Sequence, residues 1–225
     1  MKKINIKTKG FLLAIGMVTM LSGCYKLQTD YNRTPHTVDP HINRTAWQYI
    51  VDRSVANNTD TIFRVMYNAI IYSGMDSNEY KVPNRTFILM NNNSAKAVWT
   101  NVKTATNVAG KRWEDYPKDA VKKYLQYLIV QGVYDHYTLP AQSNVEVKTT
   151  APAGSFTTAP TGFAIPNFVT NPNSIMQMQV LNSSPSNTSD YPIQLNTVLN
   201  VQTSSILATN GSVHVINGFL TTNTQ

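Results

Sequence analysis

The chain has 225 residues, 42% hydrophobic and 14% charged, which is enough apolar material for one large domain and too little charge for a disordered tail. The formal net charge of +7 is unevenly placed: Lys2, Lys3, Lys7 and Lys9 lie in the first 23 residues, which carry no acid, and without them 15 of the 19 basic side chains face 12 acidic ones, a net of +3. A balance that small excludes an electrostatic footprint for nucleic acid.

Residues 1–23 read as addressing. A basic start precedes the apolar run Phe11-Leu12-Leu13-Ala14-Ile15-Gly16-Met17-Val18-Thr19-Met20-Leu21, too short to span a bilayer comfortably as a mature helix. Leu21-Ser22-Gly23-Cys24 resembles the bacterial lipobox, in which the Cys thiol is acylated and becomes the new N-terminus. Cys24 is also the sole cysteine, so no internal disulfide competes for it. Each buried methylene of such an anchor contributes about 0.8 kcal/mol. The expected location is therefore the outer membrane, lipid-anchored, with palmitate-type acylation. Tyr25 to Asp30 supplies one late acid rather than the acidic cluster associated with surface export, and Tyr25 is not a retention signal of the Asp type. Surface-exposed and periplasmic faces both stay open.

Residues 24–44 have no hydrophobic period and hold Pro35 and Pro40 among polar residues, as an extended tether does. His36, Asp39 and His41 lie close together there but lack a fourth ligand and a second shell, so no metal or other cofactor is expected.

The folded part, 45–223, opens with helices. Thr45 can cap one in which Trp47, Ile50, Val51 and Val55 share a face, and Asp60 can cap another with Ile62, Phe63, Met66 and Ile70 on its apolar side, stopped by Gly74. From Tyr80 to Asn93 the pattern becomes strand, with Thr86-Phe87-Ile88-Leu89 branched and apolar and Asn91-Asn92-Asn93 ending it. A helix over Ser94 to Val102 and a stronger one from Pro117 through Val121, Tyr124, Leu125 and Leu128 follow, the latter ending before Gly132.

Between Thr138 and Asp190 the composition shifts to Pro, Thr, Ser, Asn and Gly. The one strong element is Ser174 to Leu181, with Met176, Met178 and Val180 alternating with Gln177 and Gln179. Residues 149–173 are too long for an ordinary connection, and such loops tend to be binding loops, lids or disordered segments. Phe156, Phe163 and Phe168, with no period to bury them, are expected to be exposed for stacking on sugars or a partner; the alternative is that they fold back and cap the sandwich. Tyr134 and Tyr137, in Tyr134-Asp135-His136-Tyr137, are further candidates for contacting sugars or protein loops, packing being the alternative. Strands over Ile193 to Val201 and Ser204 to Leu207 lead into Thr209-Asn210-Gly211-Ser212-Val213-His214-Val215-Ile216-Asn217-Gly218-Phe219-Leu220, which reads as a tight Asn-Gly hairpin turn, a half-buried strand and a turn. Local patterns alone give an α+β fold.

That terminal stretch resembles the second signature block of the fasciclin domain, through Asn210, Gly211, His214, Val215, Ile216 and Leu220. Thr86, Phe87, Ile88 and Asn92 match the first block, where Leu89, Met90 and Asn91 stand in for Ala, Pro and Thr. Tyr127 matches the Tyr of the family's Tyr-His pair, with Leu128 in place of the His. The resemblance implies a fasciclin-like wedge, a bent β-sandwich flanked by several short helices. It makes His214 part of the fold signature.

The function implied is a membrane-anchored extracytoplasmic binding or adhesion domain recognising a protein or glycan. The alternative is an accessory lipoprotein subunit of an outer-membrane glycan or nutrient-uptake assembly, with a larger outer-membrane complex as partner. A hydrolase is the third reading and has little to hold: there is no Gly-rich phosphate loop, nucleophile elbow or His-Glu helix motif, and one Cys and four scattered His assemble no catalytic triad from spacing alone. Catalytic residues are therefore expected to be none.

Overall fold

The computed structural model describes residues 39–56, 59–140, 143–181 and 192–224; the expected signal peptide, Cys24 and the expected tether up to residue 38 lie outside the described residues. Thr45 opens helix α1 (Ala46–Asp52) with a reciprocal capping box: its hydroxyl accepts the Gln48 N–H at 3.2 Å while the Gln48 carboxamide accepts the Thr45 N–H at 3.0 Å. Both otherwise orphan donors are satisfied. Ala46 and Ile50 are buried, and Trp47 stacks on Tyr67. Val55, expected on the same face, lies beyond the helix end and is exposed.

Helix α2 (Arg64–Ser73) starts later than Asp60 suggests, with Phe63 at its N-cap. The Asp60 carboxylate instead accepts the Ile62 N–H and pairs with Arg53, a local turn that competes with capping. Gly74, at φ +65°, terminates the helix in the left-handed conformation. Strand β1 (Arg85–Met90) follows, and helix α3 (Asn92–Asn101) begins two residues before Ser94 because Asn91 is its cap, accepting the Ser94 N–H at 2.9 Å. Asn is among the residues favoured at that position. Helix α4 (Lys118–Tyr127), with Pro117 one place earlier than expected at the N-cap, buries Val121, Tyr124, Leu125 and Tyr127 and passes into β2 (Ile129–Gln131).

Strands β3 (Val145–Lys148), β4 (Ile175–Val180), β5 (Ile193–Leu195) and β6 (Leu199–Asn200) form one four-stranded sheet in that order. The single strand expected over Ile193 to Val201 is thus two, separated at Asn196 and Thr197, both with positive φ. The second sheet has the order β2-β1-β8-β7, where β7 is Thr203–Ala208 and β8 is Gly211–Ile216. A bridge between Val130 and Thr149 joins the two sheets at one edge. Together with the helices this is an α+β fold.

The C-terminal hairpin differs from the expected Asn-Gly turn. Ala208 pairs with Gly211, so the loop is Thr209-Asn210 and Gly211 is already strand. Gly211 is required there for another reason: β8 pairs in parallel with β1 from Arg85↔Gly211 to Met90↔Ile216, and a Cβ at Gly211 would sit 1.9 Å from the Arg85 carbonyl oxygen. With neighbours on both sides, β8 is buried along Ser212 to Ile216 on both faces rather than half-buried.

Residues 149–173 are ordered and packed. Phe156 and Phe163 are buried, correcting the expected exposure, and Phe168 is half-buried against the core. Phe156 sets its ring edge-on to Tyr127 at 5.4 Å, and Phe163 lies against Tyr116 and Tyr124. Backbone hydrogen bonds exchanged between Lys103 and Ala164, and from the Asn171 N–H to Phe156 O, hold the loop where it buries these rings. An irregular segment buries side chains without any sequence period, and each aromatic ring removes well over 100 Å² from water, roughly.

Candidate functional site

Most of the signature positions are structural knots. Asn210 is buried; its Oδ1 accepts the Ala46 N–H at 2.9 Å and its Nδ2 donates to Tyr80 O and Val82 O, tying helix α1 and the segment before β1 to the hairpin. Asn92 accepts the Val65 N–H and donates to Thr61 O, fixing the start of α2. The Tyr127 hydroxyl donates to Ile175 O and accepts from Asn196, and burial pushes its phenol well above the usual range. Phe87, Val215, Ile216 and Leu220 are core, and Leu220 O accepts the Tyr124 hydroxyl.

Thr86 and His214 behave differently, because both reach across the sheet to one segment, Gly132 to Leu139. The Thr86 hydroxyl donates to Gly132 O and accepts the Tyr134 N–H, both at 2.8 Å. The His214 Nε2–H donates to Tyr134 O at 2.8 Å, while its Nδ1 accepts the Ser205 N–H at 3.0 Å. Those partners select the Nε2–H tautomer. The Tyr134 peptide groups are therefore gripped at the nitrogen by β1 and at the carbonyl by β8.

The segment is then closed on itself. The Asp135 carboxylate, largely buried, accepts from Tyr137 N–H at 2.8 Å, Thr138 N–H at 3.0 Å and the Thr138 hydroxyl at 3.1 Å, while the Asp135 N–H donates back to Thr138 Oγ1. Leu139 is buried and its N–H bonds Asp135 O. Tyr137, at the crest, is 87% exposed. The result is a tight polar turn that holds an aromatic ring out in water.

A β-bulge in β7 supplies the remaining contact. Between Thr203 and Ile206 the register shifts, and Ser205 sits at φ +57°, a conformation that costs a non-glycine residue of order 1 kcal/mol or more. This bulge turns both the Ser205 N–H and its Oγ toward the turn: the N–H to His214, the Oγ to the His136 N–H at 3.2 Å and the His136 Nδ1 at 2.7 Å. Burial pushes the His214 imidazole down to about 4, opposed by its hydrogen bond to the Tyr134 carbonyl.

The structure thus brings together His136, Ser205 and His214, which spacing gave no reason to join. Its chemistry is that of a clasp. The Ser205 N–H is taken by His214 and the His136 N–H by Ser205 Oγ, so neither is available to stabilise an oxyanion, and the Asp135 carboxylate serves its own turn. This turn was not among the expected elements, although Asp135 and Thr138, three residues apart, carry the local signal of an Asx-type turn; nothing local marks Ser205. Among the described residues, no group of three His, Cys, Asp or Glu side chains is arranged to hold a metal ion, and no helix is long and apolar enough to cross a membrane. A shallow depression lined by Thr104, Ala105, Thr106, Val108 and Lys111 lies in the connection after α3 and includes none of the expected site residues.

No family model matches the chain, and no curated protein matches it. Among solved structures it is similar to the FAS1 domain pair of the insect cell adhesion molecule fasciclin I, with 14% identity and a TM-score of 0.40 over 78% of this chain and 45% of that one. The chain spans less than half the length of that protein pair.

Proposed function

We propose that this chain is a fasciclin-like binding module, held at the outer membrane by acylated Cys24, that recognises a protein or glycan through the turn bearing Tyr137. One observation carries the reading: an aromatic side chain 87% exposed stands on a turn whose backbone is bonded to β1, β7 and β8. A ring presented without freedom in its backbone loses little entropy on docking, and exposed Tyr is enriched where surfaces bind. Tyr134, half-buried and packed against the core, anchors the turn rather than competing as a second exposed contact. Phe156 and Phe163 take no part in recognition, since both are in the core.

The test compares the full lipoprotein with Tyr137→Ala on a glycan and host-protein array, alongside protease shaving of intact cells. The expected result is a roughly tenfold or greater loss of one binding signal, about 1.4 kcal/mol or more, with an unchanged circular dichroism spectrum. Binding that survives the substitution removes the turn as the recognition surface. Crosslinking to a larger outer-membrane protein, with no array signal, favours the uptake-assembly reading instead.

A further inference from the structure

We propose that His214 is a proton-operated clasp for the Gly132 to Leu139 turn: protonating its ring expels the Ser205 N–H, frees the turn from β7 and loosens the crest bearing Tyr137, while the Nε2–H bond to Tyr134 O and the Thr86 bonds keep the base of the turn on β8 and β1. This rests on the turn being the recognition surface and adds its regulation. The neutral ring joins two elements at once, accepting the Ser205 N–H at Nδ1 and donating from Nε2 to Tyr134 O. A proton can enter only at Nδ1, where it would face the Ser205 N–H, donor against donor, inside a fully buried site. The Ser205 bond must break, because a backbone N–H cannot become an acceptor, whereas the Nε2–H bond to Tyr134 O survives with a charged donor.

The break does not stay local. Ser205 also holds the His136 N–H and ring through its hydroxyl, and it occupies a left-handed conformation that its partners must sustain. Once the Ser205 N–H is displaced, the bulge can relax and the His136 contacts go with it. Protonating His136 does not by itself break its ring contact with Ser205, because a hydroxyl can donate to a bare ring nitrogen or accept from a protonated one.

Among the described residues, the titratable groups facing His214 are few. From the turn come Asp135, which favours the charged ring, and His136, which opposes it. Strand β7 has no ionisable side chain, and β1, with Ile88 opposite His214, has Arg85 alone, three positions away. Burial is the largest influence on the ring and sets the switch point on the acid side, near pH 4.

The experiment follows amide exchange across the full chain in detergent from pH 7 to 3.5, corrected for intrinsic rates, together with the ¹³C shift of the labelled His214 ring. The His136 and Ser205 amides should lose about tenfold or more of their protection in a step at the midpoint of the His214 titration, while Tyr134, held by Thr86, keeps more of its own and Ile88 and Val98 decline only gradually with global stability. His214→Gln, which does not titrate, should show no step, and His136→Gln should keep it. Constant protection through the His214 titration overturns the proposal. So does a step that persists in His214→Gln, or a step of equal size at the same midpoint in Ile88 and Val98, which would mean whole-domain unfolding. If His214→Gln does not fold, the wild-type midpoints decide: separation by more than about one pH unit overturns the coupling. No ligand is involved, so a silent Tyr137→Ala result would refute the recognition surface without touching the clasp, and a flat exchange profile would do the reverse.

Discussion

Gly211→Ala tests the parallel β1/β8 pairing on which the sheet depends. An added Cβ would lie 1.9 Å from the Arg85 carbonyl oxygen and 2.9 Å from its carbon, against an ordinary C···O contact of about 3.3 Å or more. The strands would have to part by more than about 1 Å at the end of their ladder, where both neighbours are backbone and neither can swing aside. Overpacking of this kind costs about 1–3 kcal/mol, and alanine at φ +153° adds roughly 1 kcal/mol or more. A total of about 2–5 kcal/mol is a large part of the roughly 5–15 kcal/mol that holds a domain together. With a urea m-value of about 2 kcal/mol/M, the midpoint should fall by about 1–2.5 M at unchanged m. Gly154→Ala is the internal control: Gly154 also has positive φ, +84°, but a Cβ there meets only Thr157 Oγ1 at 3.9 Å, so its loss should stop at about 1 kcal/mol. Equal shifts for the two variants, or a Gly211→Ala shift below about 0.3 M, would refute the close-approach argument.

Asn210→Ala leaves the Ala46 N–H and the Tyr80 and Val82 carbonyls without their side-chain partner and should cost about 2–4 kcal/mol, read by calorimetry as a Tm lower by roughly 5–15 °C. Phe163→Ala, at a fully buried ring touching Tyr116 and Tyr124, should cost about 3–5 kcal/mol in urea unfolding, whereas Phe168→Ala, half-buried, should cost less than half of that. Stability should also fall on acidification. His214 titrates at about 4 in the folded chain against an ordinary value of 6.5, so the unfolded chain takes up the proton first. Its contribution is complete above pH 6.5 and is lost as pH falls from 6.5 to about 4, by roughly 3 kcal/mol. Urea midpoints at pH 7 and pH 4.5 measure this, and His214→Gln should flatten the slope between them. Tyr137→Ala should leave stability within about 0.5 kcal/mol, since an exposed ring buries little.

What the sequence determined by itself was whatever one or two turns of chain can settle. Thr45 and Gly74 bound helices through partners within four residues, and the amphipathic faces of α2 and α4 bury the side chains their spacing marks; Asn91, which reads equally as the end of β1, caps α3 instead. Composition and alternation sufficed for an α+β fold. They did not distinguish Asp60 in a turn from Asp60 as a cap, because the same carboxylate satisfies either and Arg53, drawn in from the preceding helix, decides. The rest belongs to the tertiary structure. Phe156 and Phe163 are core because Lys103, Tyr116, Tyr124 and Tyr127, from other elements, fasten and receive their loop. Gly211 is strand and not turn because β1, some 126 residues earlier in the chain, lies against it. His136, Ser205 and His214 meet only once β7 bulges and pairs with β8 beside the Gly132 to Leu139 turn. Hydrogen bonds between residues so far apart leave no periodic trace, because each partner is an ordinary residue until closure of the sheet removes the water that would otherwise satisfy it.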